Sequence, residues 1–137
     1  MSDQTHTVYI IGWRERGPTK IGIAKDPAAR LVGLQGGCPY RLRLYRAFVL
    51  PGEDEARLIE DAALEAMLRY AMQGEWVRSD AKSCTATVIR AIERANYPVT
   101  PWRPTPIQLE RRQAVLARDK AKSVAESVEE YRYLISH

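Results

Sequence analysis

The chain has 137 residues, room for one compact domain and a short appended element, because domains most often run roughly 100–150 residues. Two large domains are excluded. An apolar fraction of 45% beside 28% charged residues excludes a disordered polymer, and no apolar stretch approaches the roughly 20 residues of a membrane helix. The net charge of +4 is mild but uneven: residues 1–50 hold eight Lys/Arg against three Asp/Glu, and residues 51–80 hold three against eight. A basic block beside an acidic one suits a protein that holds phosphates with cations and a metal with carboxylates, and equally an acidic helix beside a basic strand. The start Met1-Ser2-Asp3-Gln4-Thr5-His6 lacks the basic and apolar regions of a signal peptide, which predicts a cytoplasmic protein without a membrane partner. Cys38 and Cys84 are then expected as reduced thiols.

In chain order, Val8-Tyr9-Ile10-Ile11 and Thr19-Lys20-Ile21-Gly22-Ile23, separated by turn formers from Gly12 to Pro18, predict a β-hairpin. Alternation puts Val8, Ile10, Ile21 and Ile23 on a core face and Tyr9, Lys20 and Gly22 together on the other. Asp26 as N-cap, Pro27 at the first turn and Gly36 as a stop predict a short helix with Leu31 and Leu34 inward. Arg41 to Leu50 opens with basic/apolar alternation and predicts a half-exposed strand with Arg41, Arg43 and Tyr45 on its wet face.

From Glu53 to Gln73, apolar residues at spacings of three and four, followed by Gly74, predict an amphipathic helix. Gly74-Glu75-Trp76-Val77 is expected to be extended. Ser79 or Asp80 then caps a helix reaching about Ala95, with Cys84, Val88, Ala91 and Ile92 as its stripe. Four prolines between Pro98 and Pro106 predict a stiff linker over 98–106. A last helix is expected over 107–137, its thin apolar stripe suited to pairing with a second copy or lying on a duplex. The domain itself is expected over 1–97.

Val8-Tyr9-Ile10, Lys20-Ile21-Gly22, Asp26-Pro27-x-x-Arg30-Leu31, Leu34-Gln35-Gly36-Gly37-Cys38-Pro39 and Gly74-Glu75-Trp76 together resemble the GIY-YIG nuclease superfamily. More narrowly, they are similar to its branch named after a phage T5 open reading frame and a meiotically up-regulated yeast gene. The match covers roughly residues 8 to 78, and it is the order and spacing of the fragments that carry it. The resemblance implies an α+β fold, a small three-stranded antiparallel sheet flanked by helices, here with a C-terminal helical extension. It implies an endonuclease that hydrolyses DNA phosphodiesters with one divalent ion, Mg²⁺ or Mn²⁺.

Such hydrolysis needs a base for water, a cation on the phosphate oxygens and a metal for the leaving oxygen. The resemblance assigns Tyr9 to activating or orienting the water and Arg30 to the phosphate, a task its guanidinium fork suits. Lys20, on the face of Tyr9, is the candidate cation to favour the phenolate. Gly22 would let the substrate backbone approach. Magnesium takes one or two protein carboxylates. Glu60 and Asp61 compete for the helix position of that ligand, with Glu60 preferred, and Glu75 is the second carboxylate, as ligand or close by. Arg41, Arg43 and Arg46, with Tyr40 and Tyr45 interleaved, could track a nucleic-acid backbone. The branch's helix histidine falls on Glu65, so either Glu65 substitutes or the fold is a catalytically silent nucleic-acid-binding or protein-interaction module.

Overall fold

The structure, a computed structural model, describes residues 5–14 and 16–104. Its strands are β1 (His6–Gly12), β2 (Thr19–Ala24), β3 (Arg43–Leu50) and β4 (Trp76–Val77), and its helices are α1 (Pro27–Gly36), α2 (Glu53–Ala66) and α3 (Ala81–Arg94). The sheet is antiparallel in the order β3-β1-β2-β4. It therefore has four strands where three were expected. The fourth is two residues long, too short to carry a periodicity, and exists through its pairing of Thr19 with Val77 and Lys20 with Trp76. The expected helix over 107–137, with any pairing through it, lies outside the described residues.

The hairpin forms as the alternation predicts, with Tyr9 opposite Gly22 and Ile10 opposite Ile21. Val8, Ile10, Ile21, Phe48 and Leu50 pack against Ala56, Ile59, Ala63 and Met67 of α2 and Cys84, Val88 and Ile92 of α3. The opposite face is not the wet one. Tyr9, Ile11, Leu42 and Ala47 are buried there, with Leu31 and Leu34 of α1 and the indoles of Trp13, Trp76 and Trp102 packed around them. β1 is thus covered on both faces, as a central strand without charged side chains should be.

Local chemistry sets the helix ends. Asp26 accepts from the amides of Ala28 and Ala29 at 3.0 and 3.3 Å, and Pro27 follows it at the first turn. Asp80 accepts from the Ser83 amide at 2.6 Å, which settles the cap of α3, and the Ser83 hydroxyl and amide together hold the Asp80 carboxyl below its usual value. The α2 helix stops seven residues before the expected Gln73 and tightens into a single 3-10 turn over Leu68–Tyr70. The competing partner is β4: the Met72 amide donates to the Trp76 carbonyl at 2.9 Å and the Arg78 amide to the Tyr70 carbonyl at 2.7 Å. Those bonds fold residues 70–78 back on themselves around Gly74, whose φ of 69° suits a residue without Cβ.

Cys38 and Cys84 are both free, and burial pushes the Cys84 thiol up to about 11. No helix among the described residues is long and apolar enough to cross a membrane.

The proline-rich segment expected to link out of the domain instead begins by covering it. The Val49 amide donates to the Thr100 carbonyl and the Trp102 amide to the Ala47 carbonyl, both at 2.8 Å, and Phe48 pairs with Pro101. Pro101, which has no N–H to offer, sits between the two bonding residues, the placement proline tolerates at a sheet edge. The outer edge of β3 is thereby paired and Trp102 is laid on the second core, so the first compact unit runs to Arg103. Trp102→Ala is expected to cost roughly 2 kcal/mol, measured as a shift in the urea midpoint. An unshifted midpoint would show that the segment adds nothing to the domain.

Candidate active site

The site is built on β2 where β4 ends. Lys20 lies on the face of Tyr9 and is only 7% exposed, an expensive position for an ammonium unless it is paired. Its partner is Glu75: Nζ donates to Oε2 at 2.9 Å. The turn around Gly74 makes this possible, because it delivers Glu75 immediately before Trp76, the strand partner of Lys20. The Ile21 amide, donating to the Glu75 carbonyl at 3.4 Å, ties the backbone there.

Glu60, on α2, completes the cluster. It is 5% exposed and its carboxyl is raised to about 7, first by burial, then by the Glu75 carboxylate and that of Asp61, with a hydrogen bond to Glu75 favouring its neutral form and Arg57 opposing. Glu75 thus meets both the Lys20 ammonium and the Glu60 carboxyl. The competition between Glu60 and Asp61 is resolved by the helix: Glu60 falls beside Ala56, Ala63 and Leu64 on the buried side, whereas Asp61 is exposed. Glu65, at the position of the branch's histidine, is exposed and outside the cluster.

Two hard oxygen donors of this kind fit a magnesium-like cation, which accepts one or two carboxylates and keeps waters for the rest. Among the described residues no group of three or more His, Cys, Asp or Glu side chains could hold a metal. Glu60 and Glu75 are the two carboxylates among the described residues that would hold such an ion.

The remaining expected residues are placed unevenly. Tyr9 is 1% exposed, its ring covering Gly22. Contrary to the expectation, the gap at Gly22 is therefore not open to a substrate backbone: a Cβ there would stand 2.5 Å from Tyr9 Cζ and closer still to the hydroxyl. Lys20 is committed to Glu75, so the charge expected to act on the Tyr9 phenol is largely compensated. Arg30 is exposed on α1 and makes no ion pair among the described residues, Asp26 being occupied as the cap.

Arg41, Arg43 and Arg46 are all exposed, but they do not form one row. A bulge between Ile10 and Ile11 sets Arg46 opposite Ile10 and Leu44 opposite Ile11, leaving Tyr45 without a partner. Arg43 and Arg46 consequently belong to the face of α2 and α3, away from Tyr9.

One functional residue has no role from sequence reasoning. Gln35 donates through Nε2 to the carbonyls of Cys38 and Tyr40 at 3.4 and 2.8 Å and accepts from the Leu42 amide at 2.7 Å. A single side-chain amide thereby shapes the loop before β3. Its place in Leu34-Gln35-Gly36-Gly37-Cys38-Pro39 was the available signal, since a polar residue before such a turn is well placed to bond its backbone.

No protein-family model, no curated protein and no solved structure matches the chain.

Two outcomes follow from this geometry. Gly22→Ala, which has no space beside the Tyr9 ring, is expected to destabilise the fold by about 1–3 kcal/mol in urea unfolding, and a neutral result would mean that the ring moves freely. Unfolded, Glu60 titrates near 4.5, and folded near 7, so the folded chain holds an extra proton between those values. Stability should therefore fall as pH rises through that window, by up to about 3 kcal/mol, and level off above it. Glu60→Gln should flatten the profile; an unaltered profile would refute the burial of this carboxyl against Glu75.

Proposed function

We propose that the chain is a metal-dependent endonuclease of the GIY-YIG type, hydrolysing DNA phosphodiester bonds. The observation that carries this reading is the cluster of Lys20, Glu75 and Glu60, with the 2.9 Å Lys20–Glu75 pair at its centre. It supports the reading because a buried ammonium that orients one of two adjacent carboxylates is costly for a fold and useful for chemistry on a charged substrate.

Each side chain has a part. Glu60 and Glu75 would hold the divalent ion, Mg²⁺ or Mn²⁺, which when bound supplies positive charge to the phosphate and leaving oxygen. Lys20 positions Glu75 by fixing one of its oxygens. Glu60, close to its titration point at neutral pH, gives up its proton readily to a competing cation. Arg30, unpaired on α1 among the described residues, supplies a guanidinium for a phosphate oxygen. Tyr9 holds its hydroxyl over Gly22 on the same sheet face and would orient the attacking water.

A second reading, a nucleic-acid-binding module without chemistry, is favoured by the near-complete burial of Tyr9. Nicking of supercoiled plasmid separates the two. With Mg²⁺ or Mn²⁺ the chain should nick DNA, chelation should stop it, and Tyr9→Phe and Glu75→Gln should each slow it by about 10²–10⁴-fold. Glu75→Gln is preferred to alanine because it keeps an oxygen for the buried Lys20. Salt-dependent DNA binding without nicking establishes the second reading, and nicking untouched by both substitutions overturns the mechanism.

A further inference from the structure

Outside the carboxylate cluster, the turn after β1 and the loop before β3 build a second feature. The rings of Trp13 and Tyr40 are stacked, with centroids 4.3 Å apart and planes inclined by 20°. The Arg14 guanidinium stands over the same indole, 3.9 Å from its centroid. The indole of Trp13 thus carries both the Tyr40 ring and the Arg14 guanidinium. Tyr40 nevertheless remains 52% exposed, with one face on the indole and the other turned out.

The stack is held in place by the sheet and by the loop before β3. Gly12, the residue before Trp13, pairs with Arg43 in the sheet, which brings the turn beside the loop that carries Tyr40. Gln35 fixes that loop from within through its bonds to the Tyr40 carbonyl and the Leu42 amide. The surroundings are cationic: residues 13–16 and 40–42 hold Arg14, Arg16 and Arg41 against one acid, Glu15, and all three arginines are exposed. Trp13 also packs on the core that includes Tyr9 and Trp76, so the stack stands on the sheet face of Lys20.

We propose that the outward face of Tyr40 is a stacking platform for an unpaired base of single-stranded nucleic acid, with Arg41 and its neighbours holding the strand's phosphates. An aromatic ring already stacked on a second aromatic and backed by a cation is fixed in orientation, so a base meets a prepared surface and orders nothing new. Bases in a duplex are covered on both faces and cannot use it; a flipped, frayed or single-stranded base can. The charge complements phosphates, which argues against an apolar protein partner. That the bound base lies beside a bond to be cut rests on the hydrolytic reading above; the platform itself does not.

The test is binding of the full chain, in EDTA, to a fluorescein-labelled oligo(dT) of about 15 nucleotides, an abasic strand of the same length and a duplex, read by anisotropy. Oligo(dT) should bind more tightly than the abasic strand. Tyr40→Ala should weaken oligo(dT) about 5- to 100-fold and the abasic strand less than about twofold, while Tyr40→Phe keeps the wild-type value. Arg41→Ala should weaken all three ligands alike and reduce the salt slope. Equal affinity of wild type for oligo(dT) and the abasic strand, or an equal loss on both in Tyr40→Ala, overturns the platform. Because binding in EDTA requires no cleavage, a chain that fails to nick plasmid but shows this pattern keeps the platform and loses the nuclease, and the converse result does the reverse.

Discussion

Everything in this fold is arranged around a central strand that must be covered on both sides. The seven residues of β1 include no Lys, Arg, Asp or Glu, and from Thr7 to Gly12 they are all buried. One face is closed by α2 and α3, the other by α1 and three indoles. Both edges of β1 are taken by β2 and β3, so its backbone has no free edge to offer a ligand. The charged groups are built on what surrounds it, at the outer strand where the short β4 runs out.

That placement explains the electrostatics. At an interior position a carboxylate cluster would be too costly, and on an open surface it would be shielded by water. At the end of β4, Glu60 comes from the helix layer and Glu75 from the turn, and Lys20 approaches from the strand between them. The Lys20 ammonium pairs with Glu75, and burial together with the Glu75 carboxylate raises Glu60 to about 7. The packing of Tyr9 over Gly22 belongs to the same economy of space: the glycine is needed because the phenol already occupies the volume above it.

Much of the local structure was legible in the sequence because it is encoded within a few residues. The caps at Asp26 and Asp80, the helix-starting Pro27 and the alternation in the hairpin each act over a single turn or strand, and each is found where the pattern puts it. Legibility failed where a local preference competed with a distant partner. The helical periodicity of Glu53 to Gln73 lost its last turns to hydrogen bonds with residues 76 and 78, and the alternation of Arg41, Arg43 and Tyr45 was broken by a bulge opposite Ile10 and Ile11. The prolines after residue 97 read as a spacer, yet Pro101 lies against β3 because the residues on either side of it can bond that edge.

By itself the sequence determined the α+β class, the hairpin, three helices, two of them with their N-caps, and the set of charged residues from which a site could be made. It could not decide which of them meet. Glu60 rather than Asp61, the commitment of Lys20 to Glu75, the closing of the gap at Gly22 and the stack of Arg14, Trp13 and Tyr40 were all decided by tertiary packing. The reason is physical: caps and periodicity depend on neighbours a few positions away, whereas the pairing of Lys20 with Glu75 spans 55 positions and exists only once β4 has docked on β2.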